Sequence, residues 1–221
     1  MSEYRLDEGV AHISMDDGKV NAMGLAAIAG LEEQLDQAEK DEATAVVLTG
    51  REGVFCAGFN LADIRNPENA TSLRREFIDL VLRLFEFERP VVIACTGHAL
   101  GAGAGLLVVA DRRIGLDGEF KLGFNEASVG VTISKATGEL ARYRMPMPWF
   151  ESIITGSTFA PRSAIAAGLL DTVMPDPHTV LAESFRVARE LGAIPMPVFG
   201  AMKKVARGAV ADQVRRERSR L

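Results

Sequence analysis

The stretch that most constrains this chain is Val91 to Asp111, VVIACTGHALGAGAGLLVVAD. It opens on a β-branched apolar run, Val91-Val92-Ile93, behind Pro90, which reads as a buried strand. It then turns at Gly97 and passes through Gly101, Gly103 and Gly105 into the apolar Leu106-Leu107-Val108-Val109, closed by Asp111-Arg112. The pattern predicts a strand, a glycine-rich turn and a buried helix. Glycines at alternate positions let a backbone approach its neighbour closely, and the first N–H groups of a helix have no acceptor within it. The helix macrodipole adds to them, so such a place suits an anion, either a phosphate or a transient oxyanion.

The flanking sequence alternates strands and helices. Val10 to Met15 alternates apolar and polar residues and reads as a strand paired with Tyr4 to Leu6 across a turn at Glu8-Gly9. Ile28, Leu31, Leu35 and Ala38 repeat at helical spacing, as do Leu73, Phe77, Leu80, Val81 and Leu84. Between them Ala45 to Leu48 is a buried strand, and Val54 to Asn60 a loop with apolar walls. Downstream, strands are expected at Arg113-Ile114, Glu119 to Leu122 and Leu170 to Met174. Helices are expected at 132–145, 149–155, 161–167 and 179–191, and 198–221 carries Val198, Met202, Val205 and Ala209 at helical spacing before a basic end. This order predicts an α/β chain.

With 221 residues, 48% hydrophobic and 25% charged, the chain suits one soluble domain rather than a disordered or fibrous protein. A net charge of −5 disfavours nucleic-acid and membrane partners. The N-terminus lacks signal-peptide features, and no apolar run approaches the ~20 residues that cross a bilayer. Cys56 and Cys95 lie in apolar surroundings without a pairing pattern, which predicts reduced thiols and a cytoplasmic location.

Gly101-x-Gly103-x-Gly105 departs from the dinucleotide fingerprint, because residue 106 is Leu and Asp111 comes too soon to serve as the ribose acid. Taken alone, the glycines could simply permit tight helix packing. A second glycine loop, Phe55-Cys56-Ala57-Gly58-Phe59-Asn60-Leu61, also follows a buried strand. Two such loops at neighbouring strand ends can each offer one N–H to a single oxyanion. Glu126, between Phe124 and Ala127-Ser128, is a candidate for a desolvated carboxyl able to move protons near neutral pH. His12, His98 and His178 are scattered, so no metal site and no nucleophile triad is expected; His98 reads as a structural residue with a hydrogen bond. The basic C-terminal end reads as a solvated helix end, with contact to a phosphate as the alternative.

The two loops in this order, FCAGFNL at 55–61 and TGHALGAGAGLLVVAD at 96–111, resemble those of the crotonase, or enoyl-CoA hydratase/isomerase, superfamily. The resemblance implies a spiral of repeated β-β-α units over 1–192 with a short C-terminal helical segment at 193–221. It also implies homotrimers or hexamers and an acyl-CoA thioester substrate, coenzyme A being part of the substrate and no cofactor being needed. By the same resemblance the amides of Phe59 and Ala102 hold the thioester oxygen, and Glu126 is the catalytic carboxyl. Lys19, Val20 and Ala22, with Ala57, Gly58, Asn60 and Leu61, cradle the CoA adenine and phosphates. Hydratases of the superfamily usually carry a further glutamate on the glycine-turn helix, where this chain has Gly105, while Gly-Phe-Asn-Glu at 123–126 is similar to the motif of single-glutamate Δ3,Δ2-enoyl-CoA isomerases. The resemblance therefore implies an isomerase, with a hydratase and a catalytically silent acyl-CoA-binding or scaffold protein as alternatives.

Overall fold

The alternation of β-branched strands and amphipathic helices builds two sheets wound from one repeated unit. The computed structural model describes residues 2–221. A hairpin of β1 (Ser2–Asp7) and β2 (Val10–Met15) leads into α1 (Leu25–Lys40). The first β-β-α turn is β3 (Ala45–Thr49), β4 (Gly53–Cys56), a short α2 (Leu61–Arg65) and α3 (Pro67–Glu86). The second is β5 (Val91–Cys95), β6 (Gly97–Leu100) and α4 (Ala102–Val109). The third is β7 (Arg112–Leu116), β8 (Leu122–Gly123) and a 3₁₀ turn at Glu126–Val129, followed by α5 (Lys135–Arg144). Then come α6 (Met147–Phe150), a 3₁₀ turn at Glu151–Ile154, α7 (Pro161–Ala166), β9 (Thr172–Met174), α8 (Pro177–Gly192) and α9 (Met196–Arg218). Each turn places one strand in a six-stranded sheet, ordered β1-β2-β3-β5-β7-β9, and one in a small sheet, β4-β6-β8. All pairings are parallel except β1 with β2. This is the spiral of repeated β-β-α units that the resemblance implies.

The period-2 alternation of the large sheet divides the core. Ala45 and Val47 of β3 face α8, with Val92 and Ala94 of β5 and with Val180, Phe185 and Ala188, while Val46, Leu48, Val91 and Ile93 face the main core. The helical spacings of α1 and α3 bury the residues expected of them: Ile28, Leu31, Leu35 and Ala38, then Leu73, Phe77, Leu80, Val81 and Leu84. Both cysteines are buried, and burial pushes each thiol up to about 12.

Four expectations are corrected. The loop expected over 54–60 is strand β4 as far as Cys56, and the glycine turn after Gly97 contains strand β6, because each pairs with the other in the small sheet. The strand expected at Glu119 to Leu122 shrinks to Leu122–Gly123, all that reaches β6. The apolar stripe of α9 points outward: Val198, Met202 and Val205 are exposed, and the buried face carries Gly200, Lys203, Arg207, Ala211, Val214 and Glu217. Its basic end is engaged in ion pairs, Arg215 with Glu86 and Arg218 with Asp79 of α3. At 23 residues, the C-terminal helix is also the longest in the chain. Residues 193–221, expected as a short C-terminal helical segment, hold this helix, which packs on α3 and α5.

Candidate active site

Two glycines with positive φ bring the loops after β4 and β6 together. Gly58 (φ +105°) and Gly101 (φ +53°) adopt backbone that a side chain would strain. A Cβ on Gly101 would lie 3.6 Å from the Gly58 Cα, and one on Gly103 would run into the Cys56 carbonyl, so the first turn of α4 rests directly on the end of β4. The residues that follow these glycines, Phe59 and Ala102, line the same narrow cleft.

Their amides are left outside the backbone ladders. Gly58 O accepts from Met23 N at 2.8 Å and Asn60 N donates to Met23 O at 2.9 Å; these bonds flank Phe59 and leave its own N–H out. Ala102 is the first residue of α4, whose N-cap Gly101 supplies no side-chain cap, so its N–H is one of the orphan donors of a helix start.

Small-sheet pairing delivers the carboxyl. Gly101 N donates to Gly123 O at 3.0 Å, which fixes β8 against the glycine turn, and the chain then turns through Phe124-Asn125 into the 3₁₀ turn that starts at Glu126. Oε1 of Glu126 lies 3.4 Å from where a Gly101 Cβ would sit. Its Oε2 is buried without a hydrogen-bond partner. Desolvation raises the Glu126 carboxyl above the ordinary carboxylate range, and only a bond from its own backbone N–H opposes the shift.

The remaining walls come from α2, α3 and the 131–137 segment: Ile64, Arg74, Phe77, Ile78, Val131, Thr132, Ile133, Ser134 and Thr137. The free space is about 30 Å³, room for one or two waters. Glu126 is the only carboxylate on these walls. At Gly105 a Cβ would already meet the Phe77 ring at 3.0 Å. Phe77 in turn stacks edge-on against Phe59, centroids 5.0 Å apart, so an aromatic pair fills the place of a second acid.

The expected CoA-binding segments lie side by side. Ala57 N donates to Val20 O at 3.1 Å, and Arg51 Nη1 donates to Lys19 O at 2.7 Å. Val20 and Leu61 are 50% and 61% exposed, two apolar side chains held out in water beside the cleft. Ala22 and Asn60 face a second cleft of about 580 Å³ whose walls include Asp16, Asp17, Glu33 and Asp63. The Asn60 side chain is occupied as the N-cap of α2, accepting from Ala62 N at 2.9 Å. The Lys19 to Ala22 loop is shaped by Asp17 and by Asn21 within it. Asp17 accepts from Lys19 N, Asn21 N and Ala22 N, and the buried Asn21 donates to Met15 O and Phe55 O. His98 accepts from Lys121 N, the structural role expected of it. Among the described residues, no cluster of His, Cys, Asp and Glu could hold a metal ion, and no helix is long and apolar enough to cross a membrane.

A two-sheet β-β-α spiral, a pair of apposed glycine turns and a desolvated carboxyl beside them match one family, and the chain belongs to it: the enoyl-CoA hydratase/isomerase family, whose model matches residues 5–220. Curated relatives include a probable enoyl-CoA hydratase, echA17, of Mycobacterium avium, 32% identical over 184 residues that cover 80% of this chain and 70% of the relative. A Mycobacterium tuberculosis enoyl-CoA isomerase is 32% identical, with a TM-score of 0.94 over 99% of this chain and 96% of that one. The same M. tuberculosis protein has also been described as a probable enoyl-CoA hydratase. Human mitochondrial Δ3-Δ2-enoyl-CoA isomerase superposes with a TM-score of 0.92 at 25% identity, covering 98% of this chain and 87% of the human one.

Proposed function

We propose that this protein shifts the double bond of a 3-enoyl-CoA to the 2-position, with Glu126 as the proton shuttle. Glu126 takes a proton from C2, and the electron pair moves onto the thioester oxygen, held by the amides of Phe59 and Ala102. The enolate then collapses with the double bond between C2 and C3 while the same carboxyl returns the proton to C4. An oxyanion donor of this kind contributes about 2.7–4 kcal/mol, and a positioned acid–base group about 10²–10⁴-fold.

The observation that carries the reading is the buried, unpartnered Oε2 of Glu126 on the wall of the cleft that Phe59 and Ala102 line. Desolvation without a neighbouring cation makes this carboxyl more basic, which suits proton abstraction at neutral pH. Hydration needs a further group to activate and orient water, and the place for it is taken by Phe77 against Gly105. For the CoA moiety, Val20 and Leu61 offer apolar contact to the adenine, whereas the four carboxylates near Ala22 and Asn60 disfavour phosphates on that side.

The test is one preparation assayed with 3-enoyl-CoA and with 2-enoyl-CoA. Isomerisation without hydroxyacyl product is expected, and Glu126→Gln abolishes it while thioester binding stays. Appearance of 3-hydroxyacyl-CoA would identify a hydratase instead, and tight binding without turnover of either thioester a silent member.

A further inference from the structure

Arg74 is the side chain in this cleft that the proton shuttle does not use. It lies on α3 three and four residues before Phe77 and Ile78, hence on the same helical face, and all three line the cleft with Glu126. Arg74 is half-buried. The other buried or half-buried arginines among the described residues are all engaged: Arg51, Arg83, Arg89, Arg113, Arg144, Arg207 and Arg218. Among these described arginines, Arg74 alone has no hydrogen bond and no ion pair. Nor does Glu126 serve as its partner, since the Glu126 carboxyl is shifted by burial and its own amide rather than by a cation.

A half-buried arginine that lines a largely apolar cleft gives up part of its hydration for nothing within the protein. Such a group gains most from a carboxylate, which matches its planar fork with two parallel bonds. The neighbouring Ile64, Phe77 and Ile78 suit a short aliphatic chain between the reacting carbons and that carboxylate.

We propose that Arg74 selects an acyl group that ends in a second carboxylate, so that the preferred substrates are CoA thioesters of short dicarboxylic acids. This rests on the cleft being the acyl-thioester site. The free space of about 30 Å³ requires the walls to part around the chain. The same guanidinium could instead hold a CoA phosphate, and the two uses separate cleanly because every CoA thioester carries the phosphates.

The experiment measures binding of unreactive saturated thioesters, so it does not depend on which reaction the enzyme performs. Adipoyl-CoA and glutaryl-CoA are compared with hexanoyl-CoA and pentanoyl-CoA by calorimetry. The wild-type protein is expected to bind each dicarboxylic thioester about 10- to 100-fold more tightly than its monocarboxylic counterpart, the range of a charge-assisted pair. Arg74→Gln should erase that preference while leaving hexanoyl-CoA affinity in place, which also verifies folding, and Arg74→Lys should keep part of it. Equal wild-type affinities overturn the proposal without any variant. A uniform loss for all four thioesters in Arg74→Gln overturns it in favour of a phosphate contact. Binding of none of the four removes the acyl-thioester site itself and Arg74's role with it.

Discussion

The two ends of α4 treat their polar groups in opposite ways. At the N-terminal end, the Ala102 amide has no cap, Gly101 sits at φ +53°, and one carboxylate oxygen is buried unpaired nearby. At the C-terminal end nearly every polar group is saturated. Arg144 donates to Val108 O and Ala110 O, and Arg207 to Val109 O and Phe85 O. Asp111 accepts from Val91 N at 2.7 Å and pairs with Lys203 and Arg207, each at 2.9 Å. Cations at a helix C-terminus oppose its partial negative charge, so this end stabilises the helix electrostatically as well as by hydrogen bonds. One helix thus keeps its cost and its anchorage eight residues apart. The difference teaches that an end can be left unsatisfied for chemistry when the other is fastened.

Breaking either end should therefore injure a different property. The largest effect expected is from Glu126→Gln, which should lower isomerisation by about 10²–10⁴-fold with no loss of thermal stability, checked by steady-state kinetics beside a melting curve. Asp111→Ala does the reverse. It strands Lys203 and Arg207, 6% and 7% exposed, without their counter-ion, and should cost about 3–5 kcal/mol in denaturant unfolding while turnover per folded molecule holds. Gly101→Ala is the variant that should hit both properties. Its φ disfavours a side chain at about 1–3 kcal/mol, and relief of that strain would shift the turn that touches Glu126 Oε1, so melting temperature and kcat should fall together.

Smaller effects sharpen the contrast through pH. Because the Glu126 carboxyl must be ionised to act as a base, kcat/KM should fall on the acid side through a pKa above 4.5, and that limb should vanish in Glu126→Gln. The sign for stability is opposite to that of a paired carboxylate. The folded state holds this proton more tightly than the unfolded chain, so its stability contribution falls as pH rises from 4.5 through the raised value. Glu126→Gln should be at least as stable as the wild type at pH 7, and that advantage should disappear below about pH 4.5, as read by paired urea titrations. A wild type more stable than the variant at neutral pH would show that the carboxyl has a partner after all.

The sequence made the open end of α4 legible and the fastened end nearly invisible. Gly58, Gly101 and Glu126 stand out through local patterns, glycines after buried strands and an acid in an apolar setting, whereas Phe59 and Ala102 were singled out only by the family resemblance. Lys203 and Arg207 gave no such signal. A period of apolar residues pointed to Val198, Met202 and Val205 as the packed face of α9, whereas the packed face holds the two cations, whose counter-ion Asp111 lies 92 residues from Lys203. A buried charge is recognisable only with its partner, and that partner is set by tertiary structure. Strands β4 and β6 escaped, and β8 was placed too early, for a related reason, since two to four residues carry too little periodicity to read. Arg74 left no trace either, being one basic residue among many on a helix surface.

The paired cysteine positions have a practical consequence. Cys56 closes β4, three residues before the Phe59 amide, and Cys95 closes β5, and each thiol is held protonated by burial far above neutral pH. Thiolates rather than thiols react with disulfide and maleimide reagents, so the intact protein should stay silent to colorimetric thiol probes while free CoA reports at full strength. Any slow labelling of Cys56 then times the transient opening of the loop that carries Gly58 and Phe59, giving the molecule a native clock for local breathing.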